Sequence, residues 1–419
     1  MSSRRKFMGQ MLGGTATLAA SSLVPSRSAL GASDRVRLGL IGAGGRGQEI
    51  LKTALRCPNT EAVGVADVYT RRLDEVKGVV PSIKTFTDFR RLLDDASIDA
   101  VLIATPQHQH ALNFVPAIQA RKDIYQEKTM AFSPDHAKRM RAAWAGSSRI
   151  VQIGIQSTSG EALAKARELT TADRLGTITA IHTHHFRNAP YGGWIRPIPT
   201  DCDSQHVDWK AFQGEAEPRE FSGDRVINWR FYWDYSGGNV FENMVHQVGF
   251  WYKVLGLGIP RRVTMSGGNY RSPKMQLPDT MDVAMDQPES LLFTWNSMFG
   301  NRYFGEGHDL VLGTKGTVSR DESDRVRFVP EERAGKGVAA EIPGLSSSAP
   351  DIVGGSDETL LHMQNFIDCV RSRKEPNCPF EIGFRSAIAC QMAIISYRQG
   401  RSVSWDPQRE DIVPARPPL

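Results

Sequence analysis

The 419 residues contain only five cysteines, Cys57, Cys202, Cys369, Cys378 and Cys390, an odd and scattered set with no Cys-x-x-Cys. Such a set builds neither a disulfide framework nor a zinc ribbon. Acidic residues are missing from residues 1–31, which hold Arg4, Arg5, Lys6 and Arg27. With those four cations set aside the formal charge of +5 falls to +1, so the body has no cationic excess to neutralise a phosphate backbone. Nucleic acid is thereby excluded as a partner held by net charge. Beyond the N-terminus no apolar run is long enough to span a membrane. Internal repeats and long low-complexity stretches are also absent. At 40% hydrophobic and 23% charged residues the composition is that of a folded globular protein, and the length allows two or three domains.

The chain opens Ser3-Arg4-Arg5-Lys6-Phe7-Met8, continues through a weakly apolar run from Gly9 to Val24, and then gives Pro25 and Ala29-Leu30-Gly31. Charged, apolar and small-residue segments in that order read as an export signal. The paired arginines with Phe two positions on resemble a twin-arginine signal, the address of proteins exported already folded. That resemblance implies a signal over residues 1–31, the twin-arginine export machinery as a partner, and a periplasmic or otherwise exported mature chain. One reason to export a finished fold is a cofactor available only in the cytoplasm.

Val36 to Ile41 reads as a buried strand, and Gly42-Ala43-Gly44-Gly45-Arg46-Gly47 follows directly, leading into a helical pattern from Gln48 to Leu55. This is G-x-G-x-x-G in strand-to-helix context. The first glycine makes the tight turn, the second lets backbone approach a pyrophosphate, and the third lets the helix lie close to the sheet. A second strand, Ala62 to Ala66, ends at Asp67, twenty residues after Gly47, where a carboxylate accepts hydrogen bonds from the adenosine ribose. Asp67 favours NAD, whereas Arg71 and Arg72, one helical turn on, are placed to meet the 2′-phosphate of NADP. Helix 70–79, helix 88–94, strand 100–103, strand 123–125, helix 134–144 and strand 150–153 continue the alternation, which specifies a parallel, doubly wound sheet. Loops at the carboxyl ends of its strands line the ligand crevice: Thr105-Pro106-Gln107-His108-Gln109-His110, Gln126-Glu127-Lys128-Thr129, and Gly154-Ile155-Gln156.

Asp99-Ala100-Val101 through Ile103-Ala104-Thr105-Pro106, with His108 and His110, resembles the D-A-V-x-I-A-T-P-x-H-x-H signature of the Gfo/Idh/MocA oxidoreductases, and Glu127-Lys128-Thr129 is similar to their E-K-P triplet. With the glycine loop and the C-terminal run His362 to Asn365, Asp368, Arg371 to Lys374, Glu381-Ile382-Gly383 and Trp405-Asp406-Pro407, the likeness covers nearly the whole mature chain. It implies an α/β protein: an N-terminal Rossmann NAD-binding domain over 32–155, and over 156–419 a C-terminal α/β domain. The large, open, mostly antiparallel sheet of that second domain forms the substrate wall and often a homo-oligomer interface. The cofactor-binding candidates are the residues of the glycine loop from Gly42 to Gly47, Asp67, Arg71, Thr105, Pro106, His108, His110, Glu127, Lys128 and Gln156. Thr129 stands where the family carries Pro, often cis; a cis bond before a non-proline residue costs about 3 kcal/mol, so a trans Lys128–Thr129 bond is expected.

The resemblance places Lys128 near the nicotinamide, bonded to the reacting hydroxyl. The segment after Gly237-Gly238 turns helical, so Glu242 and His246, four apart, share a face. A carboxylate one turn before an imidazole fixes its tautomer and raises its basicity, and the imidazole takes the hydroxyl proton. The family counterpart is Asp-x-x-x-His with His as base; Glu242 here replaces Asp, and Gly249 stands where many members have a further Asp. Trp229, Tyr232, Trp233 and Tyr235 divide between core and sugar-stacking roles, and Tyr191 and Trp194, in the loop Asn188 to Pro199, are candidates for a mobile wall over the site. Of His182, His184 and His185, the first two fall on one side of a strand and could join His246 in a metal site, but no carboxylate or cysteine has ligand spacing; no metal is expected, and one of the three strand histidines, with His184 the candidate, contacts substrate hydroxyls instead. Gly313 to Thr317 reads as a turn, Glu358 to Arg373 as an amphipathic helix, and 335–355 as a disordered excursion.

Free NAD is scarce outside the cytoplasm, so an exported enzyme must keep its cofactor tightly bound. Two enzyme classes satisfy this. In one, a sugar or cyclitol hydroxyl gives hydride to bound NAD, and a second carbonyl compound reoxidises it. In the other, a glycoside is cleaved with no net redox change through transient oxidation at C3. A folded carbohydrate-binding protein that has lost turnover is the non-enzymatic alternative.

Overall fold

The computed structural model describes residues 35–303, 305–331 and 357–415. The expected export signal over residues 1–31 and the expected excursion over 335–355 lie outside the described residues.

Six strands form the first sheet: β1 (Val36–Ile41), β2 (Thr60–Ala66), β3 (Lys84–Phe86), β4 (Ala100–Ile103), β5 (Asp123–Gln126) and β6 (Val151–Ile153). All pairings are parallel, in the order β3-β2-β1-β4-β5-β6. Every residue of β4 and β5 is buried, as expected where helices cover both faces of a parallel sheet. The helices Thr70–Val79 and Pro134–Trp144 occupy the span their sequence patterns specify. The first helix, Gly45–Arg56, begins three residues earlier than its hydrophobic pattern, because the glycine loop itself enters the helix.

Nine strands form the second sheet: β7 (Ile178–Phe186), β8 (Arg262–Gly268), β9 (Thr280–Asp286), β10 (Leu292–Met298), β11 (Gly307–Gly313), β12 (Gly316–Asp321), β13 (Val326–Pro330), β14 (Val403–Asp406) and β15 (Asp411–Pro414). Their order is β13-β12-β11-β7-β10-β9-β8-β14-β15, antiparallel except where β10 runs parallel to β7. Inner-face residues such as Ile181, Val283, Phe293 and Trp295 alternate with half-exposed ones, so one face is covered and one is open. The helix Phe380–Gln399 lies under the covered face and also touches the helix Pro134–Trp144 of the first sheet; Gln391 Nε2 donates to the Ala131 carbonyl at 2.8 Å. One core cluster therefore runs continuously from Ile103 and Ile153 to Val283 and Trp295.

Between β7 and the helix Val245–Leu255 the chain makes a long excursion, residues 187–235, that crosses back to the first sheet. Its Val207 forms an antiparallel bridge with Tyr69, Asp208 N–H donates to the Val68 carbonyl at 2.8 Å, and Thr70 N–H donates to the His206 carbonyl at 3.0 Å. Cys202, Val207, Phe212, Val226 and Tyr235 pack with Tyr69 into a separate small core. Among the described residues no helix is long and apolar enough to cross a membrane.

Candidate functional site

The glycine loop fits a dinucleotide by what its glycines leave empty. A Cβ on Gly47 would lie 1.9 Å from the Gly42 carbonyl oxygen, and one on Gly42 would lie 2.7 Å from Thr105 N. These two glycines are required by packing. Around Gly44 and Gly45 a Cβ would meet nothing within 4 Å, so their backbone borders open space. The helix Gly45–Arg56 has no side-chain cap and no acid in its first turn, and its free N–H groups are available to an anion. Asp67 closes the far side. Its carboxylate accepts from Ala43 N–H at 2.6 Å and Tyr69 N–H at 2.9 Å, while burial pushes its pKa upward. Gly42, Gly44, Gly45, Arg46, Asp67, Thr105 and Pro106 all line one cavity of about 1020 Å³. The excursion 187–235 forms the opposite wall of that cavity through Trp194, Arg196, Phe212, Trp229 and Arg230.

Beyond the glycine loop stand two ion-pair groups, one among the loops of the first sheet and one joining the loop after β5 to the segment ahead of the helix Val245–Leu255. Arg46 Nε lies 2.8 Å from Glu127 Oε1, and Gln156 stands beside Glu127 while donating to the Tyr125 hydroxyl at 2.9 Å. Lys128 Nζ lies 2.6 Å from Glu242 Oε2 and 3.0 Å from the Glu242 carbonyl. The other carboxylate oxygen of Glu242 accepts from Gln107 Nε2 at 2.9 Å and faces Arg230 Nε at 3.2 Å. Burial opposes the charge of Glu242, but Arg230 and Lys128 outweigh it and hold the carboxyl at about 2, well below its ordinary 4.5. Gln107 is itself fixed, accepting from the Ser236 hydroxyl at 2.9 Å.

His246 lies in a second cavity of about 660 Å³, with Gln156, Asn243, His185, Glu306 and Glu358 in its walls. Burial first, then the positive charges of Lys128 and Arg46, depress its pKa well below 6.5, so the imidazole is neutral at neutral pH. A neutral imidazole beside a carboxylate-anchored ammonium can accept a hydroxyl proton while the ammonium holds the oxygen.

Several expected placements differ. The segment Val240–Met244 is a π turn ahead of the helix Val245–Leu255, and this wider turn sends Glu242 to Lys128 instead of His246. Glu242 acts on His246 through its charge. The Lys128–Thr129 bond is cis, not trans. Thr129 is fully buried there, its hydroxyl donating to the Phe241 carbonyl at 2.7 Å and its carbonyl bonded to His110 Nδ1 at 2.7 Å. His110 also bonds the Thr105 carbonyl, and His108 bonds the Phe212 carbonyl at 2.7 Å, so both histidines brace loops behind the cavity. Arg71 turns to Asp201 and Glu75, and Arg72 is the arginine of that pair that lines the dinucleotide cavity. Alternation along β7 puts His182 and His184 on the open face of the sheet, where His184 stacks on Phe186; His185 is the histidine that reaches the second cavity. Tyr232 bonds Asp224 and lies under Arg225, and Trp233 stacks on Tyr397, both packing roles. Tyr191 packs on Phe231, and Trp194 packs on Phe299 while also lining the dinucleotide cavity. A side chain at Gly249 would strike Ile155 at 2.6 Å, which explains why no Asp stands there. Among the described residues no three His, Cys, Asp or Glu side chains gather to hold a metal ion.

Comparison with known proteins agrees with this geometry. Residues 36–155 match the family described as the Gfo/Idh/MocA oxidoreductases, NAD-binding Rossmann fold. The chain is 25% identical over 384 residues to scyllo-inositol 2-dehydrogenase (NAD(+)) of Bacillus subtilis, covering 90% of this chain and 98% of that protein. It is 37% identical over 128 residues to a glycosyl hydrolase family 109 protein of Stenotrophomonas maltophilia, a stretch that spans 28% of this chain and only 27% of that one. Levoglucosan dehydrogenase, solved with NADH and levoglucosan, shares the fold at a TM-score of 0.66 and 18% identity, over 88% of this chain and 99% of that one. Over residues 36–155 the chain therefore carries the NAD-binding Rossmann domain of the Gfo/Idh/MocA oxidoreductases.

Proposed function

We propose that this protein oxidises a sugar or cyclitol hydroxyl, passing the hydride to a tightly held NAD. The observation that carries the reading is the neutral His246 in the wall of the second cavity, within electrostatic reach of the buried Lys128–Glu242 pair. The residues present fit the cofactor. The open backbone at Gly44 and Gly45 and the free helix N-terminus suit its pyrophosphate, and Asp67 suits the ribose of NAD. When bound, the nicotinamide ring supplies the hydride acceptor. The protein's own part is then to bind and to move protons. Lys128, held by Glu242, positions the hydroxyl oxygen and stabilises the negative charge that grows on it. His246 takes the hydroxyl proton on its imidazole, and His185 and Asn243 offer further polar contacts to substrate hydroxyls. The test is His246→Ala with NAD and a panel of sugars and cyclitols; undiminished reduction of the nicotinamide would overturn the assignment.

The match to the glycosyl hydrolase family 109 protein favours a second reading, glycoside cleavage with no net redox change. Release of nitrophenol from an aryl glycoside without accumulated NADH would select it. The division of the mature chain at about residue 155, export by the twin-arginine route, and self-association through the open face of the nine-stranded sheet, where Leu292 is exposed, belong to the same proposal. The N-terminal motif supports the export, and the cofactor's retention follows from it.

A further inference from the structure

The excursion 187–235 belongs in sequence to the nine-stranded sheet, yet its polar contacts converge on the loop after β2 that carries Asp67. Besides the Val207–Tyr69 bridge, Asp201 accepts from the Tyr69 hydroxyl at 2.8 Å and from Arg71 at 2.9 Å. Farther along, Gln109 Nε2 donates to the carbonyls of Ala211 and Phe212 at 3.0 and 2.7 Å, and Arg139 forms a two-pronged pair with Glu215. The segment is therefore fastened along one whole side of the dinucleotide cavity. Near its start lie Tyr191, Gly192 and Gly193, three consecutive residues with φ of 56°, 62° and 72°, and just past its end lies Gly238 with φ of 57°.

The arginines on the cavity wall differ in their partners. Arg46, Arg72, Arg90 and Arg230 each face a carboxylate: Glu127, Glu75, Asp88 and Glu242. Arg196, on the excursion, donates to the carbonyls of Gly193 and Ile195, and among the described residues it faces no carboxylate. It is an exposed cation at the rim of a cavity whose other wall is a glycine loop and a helix N-terminus.

We infer that residues 187–235 are a strap that holds the dinucleotide in place, with Arg196 as a ligand to its phosphates and the Asp201 contacts to Tyr69 and Arg71 as the latch. The inference rests on the reading of the large cavity as a dinucleotide site. The cofactor exchanges only when the strap lifts, so it is a resident group, and its hydride returns within the same protein before the next turnover. The reaction is then either a two-step exchange, in which a second carbonyl compound takes the hydride, or one in which the same sugar receives it back.

The test uses the full chain, purified without added cofactor and desalted. Dinucleotide is quantified by mass spectrometry after denaturation, and its departure is followed by the loss of bound NADH fluorescence on chasing with excess NAD. Wild type is expected to carry about one equivalent. Asp201→Ala, which removes both latch contacts, is expected to release NADH at least about tenfold faster, the effect of losing one charge-assisted hydrogen bond or more. Arg196→Gln is expected to weaken NADH binding about tenfold with the latch intact. Hydrogen exchange at the Thr70 and Asp208 amides keeps the test open should a variant fold poorly: in wild type, bound dinucleotide should slow exchange at both. Release rates equal to wild type in both variants, or an empty wild type that trades added dinucleotide freely, would overturn the strap. Retention without reduction by any sugar would instead overturn the hydride-transfer reading and leave the strap standing.

Discussion

Glu242 is a buried carboxylate that faces two cations, and its replacement by Gln removes the negative charge while keeping nearly the same shape. Lys128 and Arg230 would then share a desolvated site with no counter-charge. Breaking a buried pair by removing one partner costs about 3–5 kcal/mol, and the Gln carbonyl, still an acceptor, puts this case at about 3. Titration gives the same scale. A carboxyl held at about 2 against an ordinary 4.5 contributes about 3 kcal/mol. Because the folded-state pKa is depressed, that stability is fully present above pH 4.5 and is lost as the pH falls toward 2. Urea denaturation of wild type and Glu242→Gln should therefore show a gap of about 3 kcal/mol at pH 7 that closes as the pH is lowered through this window. The charge of Glu242 also raises the pKa of His246, so its loss should move the acid limb of the kcat/KM profile to lower pH. A stability gap near zero at pH 7, or one that persists unchanged at pH 3, would refute the ion-pair argument. An unmoved acid limb would detach Glu242 from the base.

His246→Ala should lower kcat/KM by about 10²–10⁴-fold while NAD affinity, read by fluorescence titration, stays within a few-fold. Gly47→Ala should fail to give folded protein, since its methyl would sit 1.9 Å from the Gly42 oxygen; Gly44→Ala has open space, should fold with an unchanged melting curve, and should lose dinucleotide affinity. Asp67→Ala should weaken NAD more than NADP, seen as a rise in the dissociation constant of NAD relative to that of NADP.

Much of the first sheet was legible because strand, glycine loop and acid stand in register along the chain, and each has a local physical reason. β3, three residues long and half-exposed, had too little pattern to be seen. The site's second half was harder. Glu242 and His246 stood out by spacing, but the π turn between them is not written in hydrophobic periodicity, and it changes which partner Glu242 meets. Gln107 and Arg230 complete that network from loops more than a hundred residues apart in sequence, and only the packing of the two sheets brings them to one carboxylate. Alternation in β7 separated His184 from His185, but which face is covered depends on the helix Val245–Leu255 lying beneath it. The Gly- and Pro-rich run from Asn188 to Pro199 marked a loop near the site without indicating that it begins a strap over the cofactor cavity.

The central claim is hydride transfer from a sugar or cyclitol carbon to a nicotinamide held in this chain. Its most direct test is to mix the purified protein, loaded with NAD, with sugars and cyclitols deuterated at their hydroxyl-bearing carbons, and to look by mass spectrometry for deuterium on the bound nicotinamide. Deuterium there, with the signal lost in His246→Ala, is the result the account predicts. Bound NAD that never acquires deuterium from any of these compounds would contradict it.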